Sequence, residues 1–310
     1  MKFERPDIFR PPSEWDSYFL PLTNGCSNNT CAFCALYGEK LQVREADDIK
    51  SEIDALALYG GTGIRLPAIP EIVYEIAQDW NGKRVFLQDG DALVYPFRQL
   101  REVLQYLNEK LPQVERIGCY ATPQDILRRT PAELSELKGL KLSIFYTGVE
   151  SGDDEVLTHI GKGVDRRRMA GAGRKAKEAG ITLSVTVILG LGGIEGSEKH
   201  ARETSGILTE IDPDYAGALT LTLVPGTPIY EQWERGTFHL ISPFQSLEEL
   251  KTIVENSIFT DCFLSSMHAS NYLSIRGRLH QDKEKMLRKL DQVLATKDPA
   301  LLRPEHLRGL

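Results

Sequence analysis

The residues of this sequence that are best suited to chemistry are three cysteines that lie close together. Cys26, Cys31 and Cys34 occur in the segment GCSNNTCAFC, with the spacing C-x4-C-x2-C. A zinc site requires four ligands, often in two pairs, and the first histidine of the chain is His159. Soft thiolates also bind iron–sulfur clusters. Three thiolates on one short loop are typical of a 4Fe–4S cluster that leaves one iron open for a further ligand.

Two other interpretations of the three cysteines stay open at this point: a zinc ion with a distant fourth ligand, and reduced thiols that are simply buried. The remaining cysteines do not decide between them. Cys119 falls in a predicted strand and Cys262 in an apolar stretch predicted to be helical, and lone buried cysteines mostly act as small hydrophobic side chains. The odd number of cysteines, five in 310 residues, argues against a disulfide framework.

The elements that must position these cysteines are short apolar strands that alternate with longer amphipathic helices. Strands bounded by Gly, Pro, Asn or Asp are predicted at 17–22, 84–88, 115–120, 141–149, 182–189 and 215–223. Helices are predicted at 46–58, 97–110, 165–179 and 197–210, and the segment TPAE at 130–133 predicts a further helix start with a capping box. This alternation predicts an α/β protein with a parallel sheet, either open and doubly wound or a partial barrel.

Polar or glycine-rich segments follow the predicted strands, which is where parallel α/β proteins bind their ligands. They are the cysteine loop, Asp89-Gly90-Asp91, Tyr120-Ala121-Thr122, Glu150-Ser151-Gly152 and Gly190–Gly193. A structural interpretation is open beside the functional one. Asp89-Gly90-Asp91 also fits a turn that ends a strand, and Gly190–Gly193 fits a plain turn after a buried strand. Glu150 also fits a solvated position on the surface.

The alternation of strands and helices ends near residue 243, so we divide the chain into an N-terminal extension (1–16), an α/β region (17–242) and a helical appendage (243–310). In the appendage, SLEE at 246–249 predicts a capping box, and 282–294 predicts a second helix. Between them lies a polar set of side chains: His268, Ser270, Asn271, Tyr272 and Arg276. We expect His268 or Tyr272 to act on the substrate. A capped turn between helices is the alternative.

Composition and charge argue against several classes of protein. Lys and Arg number 37 against 44 Asp and Glu, a net charge of −7, which argues against binding to nucleic acid mainly by phosphate neutralisation. The longest apolar run, Ile181 to Leu191, contains Ser and Thr and is too short to span a bilayer. The first residues, MKFERPDIFRPP, do not match a signal peptide. We therefore expect a cytoplasmic protein that binds neither nucleic acid nor a membrane.

The cysteine motif resembles that of the radical SAM superfamily, whose members use S-adenosylmethionine (SAM). In this family three cysteines follow the first strand of a partial (β/α)6 barrel, and an aromatic residue, here Phe33, precedes the last cysteine. The common spacing is C-x3-C-x2-C, so this loop is one residue longer. YTGVESGDDEVLTHIGKG at 146–163 and the segment 171–193 are similar to the branch that holds methylthiotransferases and oxygen-independent coproporphyrinogen oxidase. The resemblance implies that residues 17–242 form a partial TIM-like barrel that binds a 4Fe–4S cluster and SAM. We expect the appendage, residues 243–310, to cover the mouth of this barrel.

The resemblance also implies a set of SAM contacts. Glu150 corresponds to the residue that binds the ribose hydroxyls, and Lys162 to the basic residue that binds the methionine carboxylate, a position where arginine is commoner. Thr186 corresponds to a polar nucleoside contact on the fifth predicted strand, and we assign Leu189, at the end of that strand, to the same site. Asp89-Gly90-Asp91 stands where the family usually has Gly-Gly-Glu, so its carboxylates are candidate acceptors for the SAM ammonium. A solvated loop lysine is the alternative for Lys162.

We therefore predict a radical SAM enzyme that cleaves SAM reductively to a 5′-deoxyadenosyl radical, which abstracts hydrogen from an unidentified small-molecule substrate. Such an enzyme needs an external one-electron donor of the flavodoxin or ferredoxin type. A non-catalytic iron–sulfur electron carrier or redox sensor is the main alternative, and a zinc-stabilised interaction module is a third. Because Cys119 and Cys262 stand alone and the first 16 residues hold no cobalamin domain, we expect neither a second cluster, which methylthiotransferases need, nor bound cobalamin.

Overall fold

The computed structural model of the chain describes residues 3–8, 10–36 and 38–309. The chain forms two compact units. The first unit comprises Met1–Asn29, Glu39–Tyr146 and Glu178–Thr182. The second comprises Thr30–Gly38, Thr147–Lys177 and Leu183–Leu310.

The first unit is an α/β structure with parallel strands. Its elements, including one strand that continues into the second unit, are β1 Tyr18–Pro21, β2 Thr23–Asn24, β3 Gln42–Val43, α1 Ala46–Thr62, α2 Glu71–Asp79, β4 Arg84–Gln88, α3 Phe97–Lys110, β5 Arg116–Tyr120, α4 Pro123–Arg128, α5 Pro131–Gly139 and β6 Leu142–Glu150. Short 3₁₀ turns lie at Pro12–Glu14 and Ala92–Val94. The strands β1, β4, β5 and β6 pair in that order, all parallel, whereas β2 and β3 form a separate antiparallel ribbon.

Aromatic side chains fill the core of the first unit. The Phe86 ring lies edge-on to Tyr120 and Tyr146, with centroid distances of 5.1 and 5.8 Å, a geometry that aromatic quadrupoles favour. Glu14 is fully buried, and its Oε1 accepts hydrogen bonds from Tyr146 Oη and Arg116 Nη2, both at 2.5 Å. Part of the segment 1–16 is therefore packed into this unit. The domain boundaries set from the sequence remain a prediction.

The second unit repeats the alternation of helix and strand. Its elements after the end of β6 are α6 Asp154–His159, α7 Arg166–Glu178, β7 Thr182–Leu189, α8 Gly193–Ile211, β8 Tyr215–Thr220, α9 Pro228–Glu234, α10 Pro243–Asn256, β9 Cys262–Ser265, β10 Arg276–Leu279 and α11 Lys283–Thr296, with 3₁₀ turns at Pro299–Leu301 and Glu305–Leu307. The strand order is β6-β7-β8-β9-β10. The pairs β7–β8 and β8–β9 are parallel, and β10 is antiparallel to β9. Within the described residues, no helix has both the length and the apolar character needed to cross a membrane.

The α/β class predicted from the sequence is confirmed in both units, and several elements have the predicted bounds. The strands at 84–88 and 182–189 and the helix at 97–110 begin and end where the sequence pattern placed them. Thr130 and Glu133 form the predicted capping box at the start of α5. Helix α1 continues beyond the predicted residue 58 to Thr62, because Gly63 ends it in a left-handed conformation with φ +72°.

The chain after residue 243 differs from the prediction in two ways. Cys262 lies in β9 and not in a helix, and β9 pairs in parallel with β8, so the alternation of strands and helices continues through α10. The strand has only four residues, and its pairing with β8 decides its conformation over its weak local pattern. The capping box of α10 is formed by Ser242 and Gln245, so this helix begins at Pro243 and not at the predicted SLEE segment.

Candidate functional site

In the first unit, the cysteine loop contacts the segment that follows β4. The Cys26 Sγ–H donates to Gly90 O at 3.9 Å, and the Gly25 amide donates to Asp89 Oδ2 at 3.2 Å. A Cβ on Gly90 would lie 2.9 Å from Cys26 Cβ, so a side chain here would push the two segments apart. The structure therefore brings Cys26 together with Asp89-Gly90-Asp91, as expected for residues that follow neighbouring parallel strands.

The carboxyl group of Asp91 joins three loops of this unit. Its Oδ2 accepts hydrogen bonds from Ser27 Oγ at 2.9 Å and Thr122 Oγ1 at 2.7 Å, and its Oδ1 accepts one from the Leu93 amide at 2.9 Å. Burial, and then the neighbouring Asp125, raise the pKa of Asp91 well above its usual range. Asp91 is fully buried and its oxygens already have protein donors, so its contacts fit a residue that fixes the loops after β1, β4 and β5.

Asp89 has fewer protein partners than Asp91. Burial raises its pKa to about 6, while the amides of Gly25 and Gly90 lower it by donating hydrogen bonds. At neutral pH the side chain is therefore a carboxylate with lone pairs left for a further donor. Of the two candidate acceptors for the SAM ammonium, Asp89 has the more suitable surroundings, and both assignments remain predictions.

Sequence reasoning named the segments that hold Ser27 and Thr122 but missed Asp125, which contacts the hydroxyl groups of both. Ser27 Oγ lies 2.8 Å from Asp125 Oδ2, and Thr122 Oγ1 lies 3.0 Å from the same oxygen. Burial alone would raise the pKa of Asp125, but hydrogen bonds from Asp91, Ser27 and Arg128 lower it. One local signal was available, since Thr122-Pro123-Gln124-Asp125 has the pattern of a helix N-cap. The contact with Ser27 has no such signal.

In the second unit, backbone hydrogen bonds hold the loop that carries Cys31 and Cys34. The Cys34 amide donates to Cys31 O at 3.0 Å, and the Leu36 amide donates to Cys34 Sγ at 3.5 Å. Ala32 is held on both sides, because its amide donates to Ile160 O at 2.8 Å and its carbonyl accepts from the Ile229 amide at 3.1 Å. Burial raises the pKa of the Cys34 thiol.

Phe33 anchors the same loop through its side chain. It packs against a cluster of apolar side chains from α6, β7, α9 and neighbouring loops: Val156, Ile160, Ile188, Leu191, Leu221, Ile229 and Phe238. The predicted cofactor-binding role of Phe33 remains a prediction. Its observed contacts are with the protein core, and they fix the position of the adjacent Cys34.

Glu150 and Lys162 form a buried ion pair in this unit. Lys162 Nζ lies 2.9 Å from Glu150 Oε1, and each residue is only 7% exposed. This burial excludes the solvated surface positions that the sequence left open for both. Both side chains also act on the pKa of the Cys34 thiol, which Glu150 raises and Lys162 lowers. Glu150 Oε2 is buried without a hydrogen-bond partner, which is costly unless a ligand supplies a donor.

The backbone around this ion pair depends on glycine. A Cβ on Gly148 would lie 1.8 Å from Glu150 Oε1, so the absence of a side chain there lets Glu150 fold back along its own strand. Gly161 has φ +66°, and its Cβ would lie 2.5 Å from Thr30 O. Thr30 Oγ1 in turn donates to Gly161 O at 2.8 Å. The segment before Lys162 therefore lies directly against the loop that carries Cys31.

The two residues predicted on β7 have different surroundings. Thr186 is half-buried and pairs with Gly217 of β8, which has no side chain to cover it. Leu189 is buried, and its carbonyl accepts a hydrogen bond from the Leu221 amide at 2.9 Å. Thr186 is therefore partly accessible, whereas Leu189 is covered, and because the two residues are three apart in a regular strand their side chains point to opposite faces of the sheet.

His268 and Tyr272 lie in the loop between β9 and β10. Ser270 Oγ lies 2.9 Å from His268 Nδ1 and also accepts from the Thr220 amide at 3.1 Å, so the loop packs at the carboxyl end of β8. Tyr272 Oη donates to Glu305 Oε2 at 2.8 Å, and Arg308 lies over its ring at 4.1 Å from the centroid. Burial raises the pKa of Tyr272 to about 12. This loop connects two strands, and both its predicted place over the barrel mouth and the catalytic role of either side chain remain predictions.

The chemistry of the cysteine thiols suits an iron–sulfur cluster, and that of the Glu150 carboxylate suits SAM. Three thiols are soft ligands for iron, the amide of Leu36 donates to a cysteine sulfur, as donors to cluster sulfurs do, and Glu150 Oε2 lacks a donor. Over residues 3–8, 10–36 and 38–309, no three His, Cys, Asp or Glu side chains are grouped as ligands of a single metal ion. The assignment of the three cysteines therefore rests on their type and spacing.

Comparison with known proteins decides the family. The sequence model of the radical SAM superfamily matches residues 20–203, more than half of the chain. The chain belongs to the radical SAM superfamily. The match includes the three cysteines, Asp89-Gly90-Asp91 and Glu150, and it confirms the family that the cysteine motif predicted.

Individual relatives agree with this membership of the radical SAM superfamily. A putative methylthiotransferase of Methanocaldococcus jannaschii is 22% identical over 60% of this chain and 40% of its own length. A tRNA-2-methylthio-N(6)-dimethylallyladenosine synthase of Pseudomonas aeruginosa is 27% identical over 73% of this chain and 47% of its own length. The structure of coproporphyrinogen III oxidase from Escherichia coli, a radical SAM enzyme, is similar with a TM-score of 0.54 at 16% identity, over 77% of this chain and 51% of that chain.

These similarities confirm the fold and the general class of this radical SAM chain. The likeness to the oxidase confirms the predicted partial-barrel fold, and the family confirms a radical SAM enzyme. The chain spans about half the length of the curated relatives it matches, so substrate, reaction and partners are matters of proposal. One relative is named for a tRNA modification, and the comparisons therefore give no support to the predicted exclusion of nucleic acid.

Proposed function

We propose that this chain binds a 4Fe–4S cluster through Cys26, Cys31 and Cys34 and uses it to cleave SAM reductively. The observation that carries the proposal is the buried Glu150, whose Oε2 lacks a hydrogen-bond partner while its Oε1 pairs with Lys162. When bound, the reduced cluster supplies the electron that splits SAM into methionine and a 5′-deoxyadenosyl radical, which abstracts hydrogen from a small-molecule substrate.

The side chains of the second unit would bind SAM through complementary charges and hydrogen bonds. Glu150 Oε2 would accept from the ribose hydroxyls, a charge-assisted contact that also relieves its unpaired burial. Lys162 would attract the methionine carboxylate, and its ion pair with Glu150 keeps both side chains fixed before SAM binds. Thr186 would contact the nucleoside through its hydroxyl, whereas the side chain of Leu189, three residues further along β7, points to the opposite face of the sheet.

In the first unit, Asp89 would accept a hydrogen bond from the SAM ammonium. Its carboxylate is buried, ionised at neutral pH because its pKa is about 6, and not fully used by protein donors. Asp91 and Gly90 would support it, the former by fixing the loop and the latter by allowing the close approach of Cys26. In the second unit, His268 and Tyr272 would contact the substrate. Exclusion of water from the substrate would protect the radical from side reactions.

The electron would come from an external donor of the flavodoxin or ferredoxin type, since the described residues contain only the three clustered cysteines as ligands for a cluster and two lone buried ones. The family match does not favour a non-catalytic electron carrier. Such a carrier would also leave the buried pair of Glu150 and Lys162 without a ligand to bind. A cytoplasmic location is part of the same proposal.

Five single alanine variants of the cysteines test the cluster. We expect C26A, C31A and C34A to lose most of the iron after anaerobic reconstitution, and C119A and C262A to keep it, because Cys119 and Cys262 are buried in strands β5 and β9. Iron and sulfide content and the absorption spectrum are the measurements. Loss of the cluster in C119A or C262A would identify a fourth protein ligand and contradict the open iron.

Production of 5′-deoxyadenosine tests the reaction. The wild-type protein with a full, dithionite-reduced cluster is incubated with SAM under anaerobic conditions, and C31A serves as the matched control. We expect 5′-deoxyadenosine and methionine in equal amounts from the wild type and none above background from C31A. A fully loaded, reduced wild type that releases no 5′-deoxyadenosine would contradict the proposal.

A further inference from the structure

Glu150 lies at the centre of a strained three-residue turn at the end of β6. Its φ is +64°, a value that non-glycine residues seldom adopt, and the Ser151 amide donates to Val149 O at 2.8 Å to close the turn. Such a conformation persists only where the surroundings hold it in place. The next residue along the chain, Ser151, is fully buried, so contacts of its side chain can hold the turn in place.

Ser151 is held by a histidine from another helix. Ser151 Oγ lies 2.8 Å from Nδ1 of His200, a fully buried residue of α8. The other ring nitrogen, Nε2, lies 3.0 Å from Ile188 O near the end of β7. A carbonyl oxygen can only accept, so Nε2 carries the proton and Nδ1 accepts from the Ser151 hydroxyl. Burial lowers the pKa of His200 to about 4, which keeps this neutral tautomer in place at physiological pH.

The imidazole of His200 therefore spans the ends of two strands. One end, after β6, presents Glu150, and the other, on β7, carries Thr186 and Leu189. The β7 end is also held from a second side, because the Gly190 amide donates to Glu249 Oε2 at 2.8 Å. Gly192 lets His200 approach, since a Cβ there would lie 3.0 Å from the Cβ of His200.

We propose that His200 is a positioning residue for SAM: it holds the strained turn of Glu150 at a fixed distance from the nucleoside-binding end of β7. This inference rests on the proposed function, since it assigns the two strand ends to the ribose and the nucleoside. It concerns the adenosine half of SAM only. Neither hydrogen bond of His200 involves Lys162 or a cysteine.

Two substitutions separate the two hydrogen bonds of His200. Glutamine places an amide near the Nε2 position, so H200Q can still donate to Ile188 O but leaves Ser151 without its acceptor. Asparagine places its amide near the Nδ1 position, so H200N can keep the contact with Ser151 and loses the one with Ile188. S151A removes the hydroxyl with a smaller disturbance of the core, and it keeps the test valid if a His200 variant folds poorly.

The experiment measures dissociation constants on cluster-loaded protein, with SAM, 5′-deoxyadenosine and methionine as three separate probes. We expect H200Q and S151A each to weaken SAM and 5′-deoxyadenosine about five- to tenfold, the loss expected for one buried hydrogen bond. Methionine affinity and iron content stay at wild-type values. S151A also removes the hydrogen bond that the Asp153 amide donates to Ser151 Oγ, so the H200Q/S151A double variant should bind no more weakly than S151A, because the contact between Ser151 and His200 is already lost in S151A. V293A, a buried position in α11, controls for general loss of stability.

Each outcome has a defined meaning. Selective weakening of the two adenosine probes with a non-additive double variant supports the proposal. Equal weakening of all three probes, or loss of iron in H200Q and S151A alike, shows a general structural role and overturns it. Wild-type affinity for SAM and 5′-deoxyadenosine in both H200Q and S151A overturns the proposal and leaves the proposed function intact. Loaded wild-type protein that binds no SAM at all overturns the proposed function and this inference together.

Discussion

Replacing Glu150 by glutamine changes one charge in a buried pair and keeps the size of the side chain. Both Glu150 and Lys162 are 7% exposed, and Oε1 of the former lies 2.9 Å from Nζ of the latter. In E150Q, a buried ammonium loses its carboxylate, and breaking a buried pair on one side typically costs about 3–5 kcal/mol. A glutamine oxygen can still accept a hydrogen bond from Lys162, so we expect the lower end of that range.

The same substitution acts on SAM through Oε2. In the free protein this atom is buried without a partner, and hydroxyl groups of the ribose would supply the missing donors. Hydrogen bonds to charged groups contribute about 1.5–3 kcal/mol and neutral ones about 0.5–1.5 kcal/mol. The loss in E150Q is therefore about 1–2 kcal/mol, which corresponds to a SAM dissociation constant about 5- to 30-fold higher.

The assay must separate the loss of stability from the loss of affinity. The SAM dissociation constant is measured by anaerobic titration calorimetry on cluster-loaded E150Q, and urea unfolding is followed on the same samples. The E150Q/K162M double variant removes both charges of the pair, so we expect it to regain most of the lost stability and still to bind SAM weakly. We expect the iron content of E150Q and of E150Q/K162M to equal that of the wild type.

Two results would refute this reasoning about Glu150. A SAM dissociation constant within twofold of wild type in E150Q would show that Oε2 does not contact the ligand. Recovery of SAM affinity together with stability in the double variant would show that the weak binding of E150Q came from unfolding alone.

Three further variants give distinct expected results. G148A places a Cβ 1.8 Å from Glu150 Oε1, so we expect weaker SAM binding with normal iron content, and loss of iron would contradict this. G161A combines φ +66° with a Cβ 2.5 Å from a backbone carbonyl of the cysteine loop, so we expect reduced iron content by reconstitution assay; full iron would refute it. Burial raises the pKa of Glu249 from 4.5 to about 7 and lowers that of His200 from 6.5 to about 4. Between pH 4.5 and 6.5 the folded protein therefore binds more protons at Glu249 than the unfolded chain does, and fewer at His200. In this range the glutamate lowers the stability as pH rises and the histidine raises it. E249Q removes the glutamate effect, which lowers stability as pH rises, so between pH 4.5 and 6.5 the urea midpoint should increase more, or decrease less, with rising pH than in wild type; an unchanged pH profile would contradict it.

The sequence alone determined the family, the class of fold and the three cysteines. The cysteine spacing is a local pattern of soft ligands, and it needs no knowledge of the fold to be noticed. Strands such as Arg84–Gln88 and Thr182–Leu189 were predicted with their observed bounds, because a continuous apolar run between turn residues is a strong local signal of a parallel strand buried on both faces. The capping box of α5 was predicted for the same reason, since it depends on residues three apart.

Only the tertiary structure decided the features that join distant parts of the chain. The strand containing Cys262 forms because it pairs with β8, and four residues carry too weak a pattern to predict this. The burial of Glu150 and Lys162, and the unpaired Oε2, depend on how their loops fold together. The contact between Ser151 and His200 joins residues 49 positions apart. Hydrogen bonds of this kind are fixed by three-dimensional distance and orientation, and neither quantity is written in the order of residues along the chain.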